Sequence, residues 1–492
     1  MLCSPTTADA GADLTIEPKD PTMQAEKVYR IEGGRPLEGE VTVSGAKNAI
    51  GKQLVASLLT EEPCVFTNVP RITEIEAILG MLAEVGTVAE WKDDHTLIVQ
   101  TPRITRTVVS ERYSGFNRIP ILLLAPLLHR AREVRVPVVG GCRIGARPLD
   151  FHISALEAMG AEIEYGAEAY SAKSRGLQGR TIPLPYPSVG ATENIIIAAS
   201  LARGTTVIQN AAVEPEIIDT ILFLQKMGAL IRVDVDRRII IEGVSRLSGA
   251  THHTLTDRVE VASFAAATVA CGGRSKIWQA QQEHMIAFLN ELRKVGGGFE
   301  IEREAMTFFR QADKLRATHV ETDVHPGFVT DWQQPFVVLL TQSAGVSVIH
   351  ETVYENRFGY TRTLQEMGAS IDLASACLGS KPCRFAHHDH SHSCIVRGPM
   401  PLKGRAIEIP DLRAGFAYLI AAMVAEGVSE IRGTRYIERG YAAVPEKLEA
   451  LGVNIEVQTA DAPALPDAPV FEDCATVVNG ASATQAKAGL AR

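Results

Sequence analysis

One short segment combines a thiol, positive charge and backbone freedom, which together could support acid–base or covalent chemistry. It runs from Gly140 to Pro148 and places Cys142 between Arg143 and Arg147. Neighbouring positive charge lowers the pKa of a thiol and favours the reactive thiolate. The glycines before the cysteine allow a sharp turn, and the proline suits the first turn of a following helix. Cys142 is therefore a candidate catalytic residue, and a small residue that only fills a turn is the alternative.

Further candidates are six cations and four carboxylates near the predicted starts of helices. The cations are Lys47, Arg118, Arg147, Arg357, Arg413 and Arg439. The carboxylates are Asp257, Glu260, Asp331 and Asp411. Helix N-termini carry partial positive charge and free N–H groups, so converging ends would bind phosphate or carboxylate. Solvated surface cations and simple helix caps are the alternatives. The cap interpretation is weakest for Asp331, because the next residues, 332–335, resemble the lining of a pocket.

The elements that would position these residues recur along the chain. A helix end, a glycine and a strand-like alternation appear six times, which indicates a repeated supersecondary unit. The glycines are well placed to end helices, and they are Gly86, Gly160, Gly228, Gly296, Gly368 and Gly452. Each unit also holds an apolar helix behind a polar cap, and such a helix should be buried. These predicted helices are Ala49–Leu59, Ile119–Leu128, Thr192–Ala202, Val259–Ala270, Trp332–Ser343 and Ala414–Ala425.

Composition excludes several classes of protein. The chain has 492 residues and a net charge of −9, which argues against a nucleic-acid partner. No run of 18 apolar residues indicates membrane insertion. Eight cysteines without the spacing of a disulfide framework, and no signal peptide, predict a cytoplasmic protein. Residues 1–26 and 459–492 have the composition of disordered tails.

At this point the motifs resemble a known family, the UDP-N-acetylglucosamine enolpyruvyl transferases, which are related to EPSP synthase. The resemblance runs in order from about residue 28 to about residue 458. It is carried by Ser44-Gly45-Ala46-Lys47-Asn48-Ala49, the segment Gly140–Pro148, Ser188-Val189-Gly190-Ala191-Thr192, Glu214-Pro215-Glu216-Ile217-Ile218-Asp219, Thr330-Asp331, the segment Glu351–Arg357, Asp411-Leu412-Arg413-Ala414 and Glu438-Arg439-Gly440-Tyr441.

The resemblance implies an α/β (α+β) fold, a two-domain inverse α/β barrel. Six βαβαββ-type units, three in each domain, would be joined by a double hinge. One domain would comprise residues 27–47 and 257–458, and the other residues 48–256. A monomer without a cofactor is expected. No bound metal is expected either, because arginines and helix ends supply the positive charge.

The resemblance also implies a reaction and a role for each matching residue. Family members transfer enolpyruvyl from phosphoenolpyruvate to the 3′-hydroxyl of UDP-N-acetylglucosamine and release phosphate, the committed step toward peptidoglycan. Carried over, Lys47, Arg147 and Arg439 bind the phosphate, Arg357 and Arg413 the carboxylate, and Asn48 and Arg118 complete the anion pocket. The nucleotide contacts would be Arg147, Pro148, Leu149, Asp150, Phe151, Ser188, Val189 and Gly190, with Val353 at the sugar. Asp331 would deprotonate the hydroxyl, and Cys142 would protonate the methylene carbon and react with the epoxide fosfomycin.

Two features depart from the family pattern. Tyr186 stands where the family often has a lysine, which leaves open another nucleotide acceptor, such as a UMP-like molecule. A non-catalytic UDP-sugar binder is a further alternative, although it would have no use for Cys142 and Asp331. The extra stretch Cys377–Met400 is rich in cysteine and histidine. This density suggests a zinc site as an alternative, but the spacing matches no regular two-plus-two zinc motif, so a solvent-facing loop without a metal is the favoured prediction there.

Overall fold

A computed structural model of the chain describes residues 26–140, 149–355, 357–381 and 383–460. Within these residues the helices are α1 (Lys47–Ala56), α2 (Thr73–Glu84), α3 (Ile119–Ala131), α4 (Asp150–Ala158), α5 (Val189–Ser200), α6 (Pro215–Lys226), α7 (Arg258–Cys271), α8 (Ile286–Val295), α9 (Gln333–Thr341), α10 (Thr361–Glu366), α11 (Leu412–Val424), α12 (Arg435–Glu438) and α13 (Val444–Ala450).

The strands of the described residues are short. They are β1 (Glu26–Glu32), β2 (Glu38–Thr42), β3 (Cys64–Thr67), β4 (Val88–Trp91), β5 (Leu97–Gln100), β6 (Glu133–Pro137), β7 (Glu162–Tyr165), β8 (Ala169–Lys173), β9 (Thr181–Pro183), β10 (Thr205–Gln209), β11 (Leu230–Asp234), β12 (Arg238–Glu242), β13 (Thr251–His253), β14 (Arg274–Trp278), β15 (Gly297–Ile301), β16 (Ala305–Arg310), β17 (His319–Glu321), β18 (Gly345–His350), β19 (Ser370–Ala374), β20 (Ser393–Gly398), β21 (Ala406–Glu408), β22 (Val428–Arg432) and β23 (Asn454–Ala460).

Six small sheets repeat one topology. Their strand orders are β21-β22-β1-β23, β15-β16-β14-β2, β17-β18-β20-β19, β13-β3-β5-β4, β11-β12-β10-β9 and β6-β8-β7. In the four-stranded sheets one parallel pair is followed by two antiparallel pairs, as in β9 with β10, β10 with β12 and β12 with β11. The three-stranded sheet has a parallel bridge between Val108 and Arg135 at the corresponding edge. The described structure therefore confirms the six predicted repeats.

Two separate cores divide these units into halves. We call the first half the one whose core takes its residues from 29–43 and 259–455, and the second half the one built from residues of 50–247 with Ala442. In the first half, α7, α9 and α11 contact one another and are buried almost completely. In the second half, α3 lies against both α1 and α5. Helices inside and sheets outside give the α/β two-domain architecture; the exact domain boundaries stay a prediction.

Two connecting segments between the halves lie side by side. Gly45 and Thr256 form an antiparallel bridge. The Ala46 amide donates to the Leu255 carbonyl at 2.7 Å, and the Asp257 amide donates to the Ser44 carbonyl at 3.0 Å. Because α1 begins directly after one segment and α7 after the other, both helix starts are fixed where the halves meet. Lys47, at the first position of α1, lies at this junction.

The predicted helix ends and buried helices agree with the structure. All six repeat glycines have a positive φ, from 80° at Gly452 to 110° at Gly86, so each adopts the left-handed conformation that favours glycine. The helices predicted from apolar runs are α1, α3, α5, α7, α9 and α11, and α1 is followed by a single 3₁₀ turn, Ser57–Leu59. Glu26 and Thr459, assigned above to the tails, lie in the paired strands β1 and β23.

Candidate functional site

A carboxylate and two arginines from three different units of the first half form the centre of the site. Asp331 lies in the 3₁₀ turn before α9, Arg357 in the loop before α10, and Arg413 in the first turn of α11. The Arg357 Nη2 lies 2.6 Å from Asp331 Oδ1, while Nε and Nη2 of Arg413 each lie 3.0 Å from Oδ2. Arg413 also donates to the Tyr441 hydroxyl at 2.8 Å. The two arginines are buried, whereas the Asp331 side chain is 26% exposed, and the ion pairs hold these side chains in place.

The two arginines determine the charge state of Asp331. Burial alone would raise the pKa of its carboxyl, but the positive charges of Arg413, Arg357 and Lys47 outweigh burial and lower the pKa to about 2. Burial opposes the charge of Arg413, yet Tyr441, Asp331 and Asp257 hold its pKa above the ordinary value. In this state Asp331 is therefore ionised and is a weak base.

A second carboxylate, which the sequence analysis did not single out, joins the two halves. Glu74 in the first turn of α2 lies 3.1 Å from the Lys47 ammonium and 2.9 Å from Arg439 Nε. Its side chain is only 10% exposed, and burial is again outweighed by Lys47 and Arg439, so its pKa is lowered. Glu74 belongs to the second half, whereas Arg439 follows α12 in the first half. An acidic residue at the start of an amphipathic helix is usually explained by its favourable interaction with the helix dipole. The sequence therefore gave no sign that Glu74 pairs with Lys47 and Arg439.

The two clusters belong to one site. Lys47 pairs with Glu74 and also acts on the charge of Asp331. The Arg439 guanidinium lies 5.1 Å from the ring centre of Phe116, two residues before Arg118, which caps α3. Asn48 follows Lys47 in α1. Four of the predicted cations thus meet two carboxylates where the halves face each other, with Asn48 next to Lys47 in the sequence of α1 and Arg118 at the start of α3.

The other predicted carboxylates serve structure. Asp257 caps α7 by accepting the amides of Val259 and Glu260, and Asp411 caps α11 in the same way. The Glu260 carboxylate lies 2.6 Å from the Lys447 ammonium. For Asp257 and Asp411 the structure thus shows the helix-cap alternative, and Glu260 instead forms an ion pair.

The predicted nucleotide residues lie at the starts of two neighbouring helices of the second half. Leu149, Asp150 and Phe151 begin α4, and residues 188–190 begin α5. The helices are in contact. A Cβ on Gly190 would lie 3.1 Å from the imidazole of His152, so the glycine allows this close approach.

The predicted sugar contact faces this region from the first half. Glu351 accepts the backbone amide of Val353 at 2.8 Å and so fixes the loop. Arg384 donates to the Val353 carbonyl and stacks over the ring of Tyr186, 4.6 Å from its centre. Arg384 lies in the extra cysteine- and histidine-rich stretch, and the sequence analysis did not identify it as part of the site.

Cys142, Arg147 and Pro148 lie outside the described residues. The chain on either side is described: the Gly140 amide donates to the Asn117 carbonyl at 2.9 Å, and Leu149 precedes α4.

Comparison with known proteins defines the class. Residues 31–448 match the sequence model of EPSP synthase (3-phosphoshikimate 1-carboxyvinyltransferase). Two solved structures share the fold: the enolpyruvyl transferase NikO from Streptomyces tendae, with a TM-score of 0.78 at 22% identity, and EPSP synthase from Acinetobacter baumannii, with a TM-score of 0.66 at 17% identity. They cover 89% and 88% of this chain, respectively, and all of their own. The chain belongs to the EPSP synthase family and is a transferase.

More similar relatives carry a narrower name. The UDP-N-acetylglucosamine 1-carboxyvinyltransferase of Protochlamydia amoebophila is 52% identical over 87% of this chain and 94% of its own. Proteins of that name from Chlamydia abortus and Gloeobacter violaceus are 48% and 38% identical, over 89% and 98% of this chain and 99% and 98% of theirs. Among the residues that the structure describes, no helix has the length and apolar character needed to cross a membrane.

The depressed pKa of Asp331 predicts a pH-dependent loss of stability. Its ion pairs stabilise the fold fully above the ordinary carboxyl pKa of about 4 and are lost as pH falls toward the folded-state value. The Asp331→Asn variant lacks this contribution. Calorimetric unfolding temperatures of wild type and variant should differ most above pH about 5 and converge between pH about 4 and 2. Asp372→Asn, which breaks an exposed pair with Arg397, should have a small effect throughout. A wild-type advantage over Asp331→Asn that persists undiminished in acid would contradict the assignment.

Proposed function

We propose that the protein transfers the enolpyruvyl group of phosphoenolpyruvate to the 3′-hydroxyl of UDP-N-acetylglucosamine and releases phosphate. The observation that carries the proposal is the 52% identity, over nearly the whole length, to a relative of that name. In a cell this would be the first committed step of peptidoglycan synthesis, in the cytoplasm, and would serve cell shape and division.

The charges of the site support phosphoenolpyruvate as a substrate. The molecule carries a carboxylate and a phosphate, and the site offers a separate pair of cations for each. Arg357 and Arg413 would bind the carboxylate, because a guanidinium fork suits bidentate contact. Lys47 and Arg439, with Arg147, would bind the phosphate. In the described structure Asp331 and Glu74 already occupy these cations, so protein carboxylates hold the positions that substrate anions would share.

The role of Asp331 as base follows from this sharing. While no substrate is bound and Asp331 pairs only with the two arginines, its pKa is too low for it to accept a proton readily. A substrate carboxylate arriving at Arg357 and Arg413 would bring a second negative charge beside it and would raise its pKa. Asp331 would then accept the proton of the sugar hydroxyl as the oxygen attacks C2. The base would thus become active only when phosphoenolpyruvate is bound.

The remaining steps use Cys142 and the substrate-binding residues of both halves. Cys142 would deliver a proton to C3 while positive charge develops at C2. The tetrahedral adduct would then lose phosphate and a C3 proton, which restores the double bond. The starts of α4 and α5, at residues 149–151 and 188–190, would bind the diphosphate and uridine, and Val353 would contact the sugar. Cations from both halves around one substrate would exclude water from the reacting atoms.

Another nucleotide acceptor, which Tyr186 had left open, is less well supported. NikO shares the fold at 22% identity, and a similarity at this level supports the architecture but gives no information on the acceptor substrate. Relatives at 38–52% identity carry the UDP-N-acetylglucosamine name.

The acceptor can be tested directly. Phosphate release from phosphoenolpyruvate should be measured with UDP-N-acetylglucosamine, UMP and shikimate 3-phosphate as separate acceptors at equal concentration. Only the first should support rapid turnover. Faster release with either of the others would replace the proposed acceptor, and no release with any of them would reject the reaction.

Replacing Asp331 by asparagine should separate chemistry from binding. General-base catalysis typically contributes a factor of about 10²–10⁴, so kcat should fall by that order. The KM for phosphoenolpyruvate should not rise, because Arg357 and Arg413 lose a competing anion. Steady-state kinetics of Asp331→Asn beside Asp372→Asn, the exposed control, measure both. Near-normal turnover in Asp331→Asn would assign the base elsewhere.

Replacing Cys142 by serine should abolish two properties together. Turnover should fall strongly, since a serine hydroxyl is a much weaker acid, and time-dependent inactivation by fosfomycin should disappear. Cys271→Ser is the matched control, because burial raises the pKa of that thiol to about 12 and leaves it unreactive. Inactivation should be measured after preincubation, followed by mass analysis of the adduct. Wild-type inactivation of Cys142→Ser would place the reactive thiol at another cysteine.

A further inference from the structure

Four potential metal ligands converge at the end of one sheet of the first half. The donor atoms of His350, Cys377, Cys383 and His392 all lie within 4.8 Å of one another. His350 ends β18, and His392 directly precedes β20. The two cysteines lie in the connection between β19 and β20, which folds back over the strand ends. The set thus joins two strands to the loop between residues 375 and 392.

Both histidines are oriented so that their Nε2 atoms can act as ligands. The Nδ1 of His392 lies 2.6 Å from the His390 carbonyl, and its Nε2 lies 3.2 Å from the Cys377 sulfur. The Nδ1 of His350 lies 3.4 Å from the Glu321 carboxylate. An Nδ1–H that donates to a carbonyl or a carboxylate leaves a lone pair on Nε2, and this arrangement is common behind metal-bound imidazoles.

The Nε2 of His350 is an independent sign of a missing partner. The imidazole is fully buried, and among the described residues Nε2 has no hydrogen-bond partner. Buried polar atoms are nearly always satisfied, and an exception often marks an ion or a water. The cysteine sulfurs and a nitrogen of the second imidazole lie within 4.8 Å of the ring nitrogen that His350 offers to the cluster.

The dimensions and donor types fit zinc. A tetrahedral ion with bonds of about 2.3 Å to sulfur and about 2.0 Å to nitrogen separates its donors by about 3.3–3.8 Å, which agrees with the compact cluster. The Cys383 sulfur also accepts the Phe385 amide at 3.4 Å, a contact that would stabilise a thiolate. Two sulfurs and two imidazoles are a common set for structural zinc.

We propose that His350, Cys377, Cys383 and His392 bind one structural zinc ion. Four protein ligands leave no open position for substrate, so the ion would fold the loop and take no part in the chemistry. The sequence analysis predicted no metal because one ligand comes from a strand far upstream, which no linear spacing motif includes.

The zinc would act on the candidate site through Arg384, the residue after Cys383. Glu321 lies against His350 and also accepts the amides of Ser380 and Lys381, so it anchors the loop between the two cysteine ligands. Arg384 contacts Val353 and Tyr186 where the two halves face each other, so a zinc ion that fixes the loop would also hold Arg384 in this place. Any effect of zinc on turnover rests on the proposed function, whereas zinc binding itself does not.

The first test is metal content in the whole, untagged protein purified under reducing conditions. Elemental analysis should find about one zinc per chain in the wild type. Cys383→Ser and His350→Ala should lower the zinc content at least about tenfold, since each removes a ligand. His387→Ala, an exposed histidine of the same loop, is the matched control and should keep the ion. Zinc retained by both ligand variants, or absent from the wild type even after incubation with zinc, would overturn the proposal.

A second measurement on the wild type avoids any loss of folding in the variants. Alkylation followed by peptide mass analysis should modify Cys377 and Cys383 only after a strong chelator removes the ion. Rapid modification in the zinc-loaded protein, or a disulfide between the two cysteines in the reduced preparation, would also overturn the site. These readouts do not use turnover, so failure of the acceptor assay leaves them unaffected and the reverse also holds.

Discussion

The site depends on the neutralisation of four cations by two carboxylates, Asp331 and Glu74. Arg357 and Arg413 would repel each other without Asp331, and Lys47 and Arg439 would do so without Glu74. Removing one member of a buried ion pair typically costs about 3–5 kcal/mol, because a charge is left unpaired in a low-dielectric region. If these cations bind a substrate dianion, as proposed above, they need protein anions while the substrate is absent. The same two carboxylates also hold the side chains of the four cations close together at the junction of the halves.

The repeated fold explains how these charges come together. Each unit buries one apolar helix, and residues at the starts of three of these helices form the site. Lys47 and Arg413 lie in the first turns of α1 and α11, and Asp331 lies in the 3₁₀ turn before α9. The paired connecting segments, with Gly45 bridged to Thr256, fix the start of α1 relative to that of α7. A change in the angle between the halves would therefore move Glu74 relative to Arg439 before it disturbed either core.

Local signals in the sequence were enough to predict the six repeats and the residues at the centre of the site. Glycines that must adopt positive φ and apolar runs behind caps are properties of neighbouring residues, so the chain alone could predict them. Asp331, Arg357 and Arg413 stood in motifs that matched a family. Glu74 and Arg384 carried no such signal, because Glu74 pairs with Arg439 and Arg384 stacks on Tyr186 across the junction of the halves. The cluster around His350 was not predicted for a related reason: strand pairing, not sequence spacing, brings its ligands together.

Glu74 also constrains how a substrate phosphate could bind. It is the partner of both Lys47 and Arg439, and its separation from them would leave a buried carboxylate unpaired. A phosphate dianion is therefore better accommodated beside Glu74, sharing the two cations, than in its place. Sharing requires additional positive charge, which Arg118 at the start of α3 and Arg147 could supply from the second half. The proposed phosphate site would therefore be complete only when cations of both halves contribute to it. Before the substrate binds, Glu74 would keep Lys47 and Arg439 aligned.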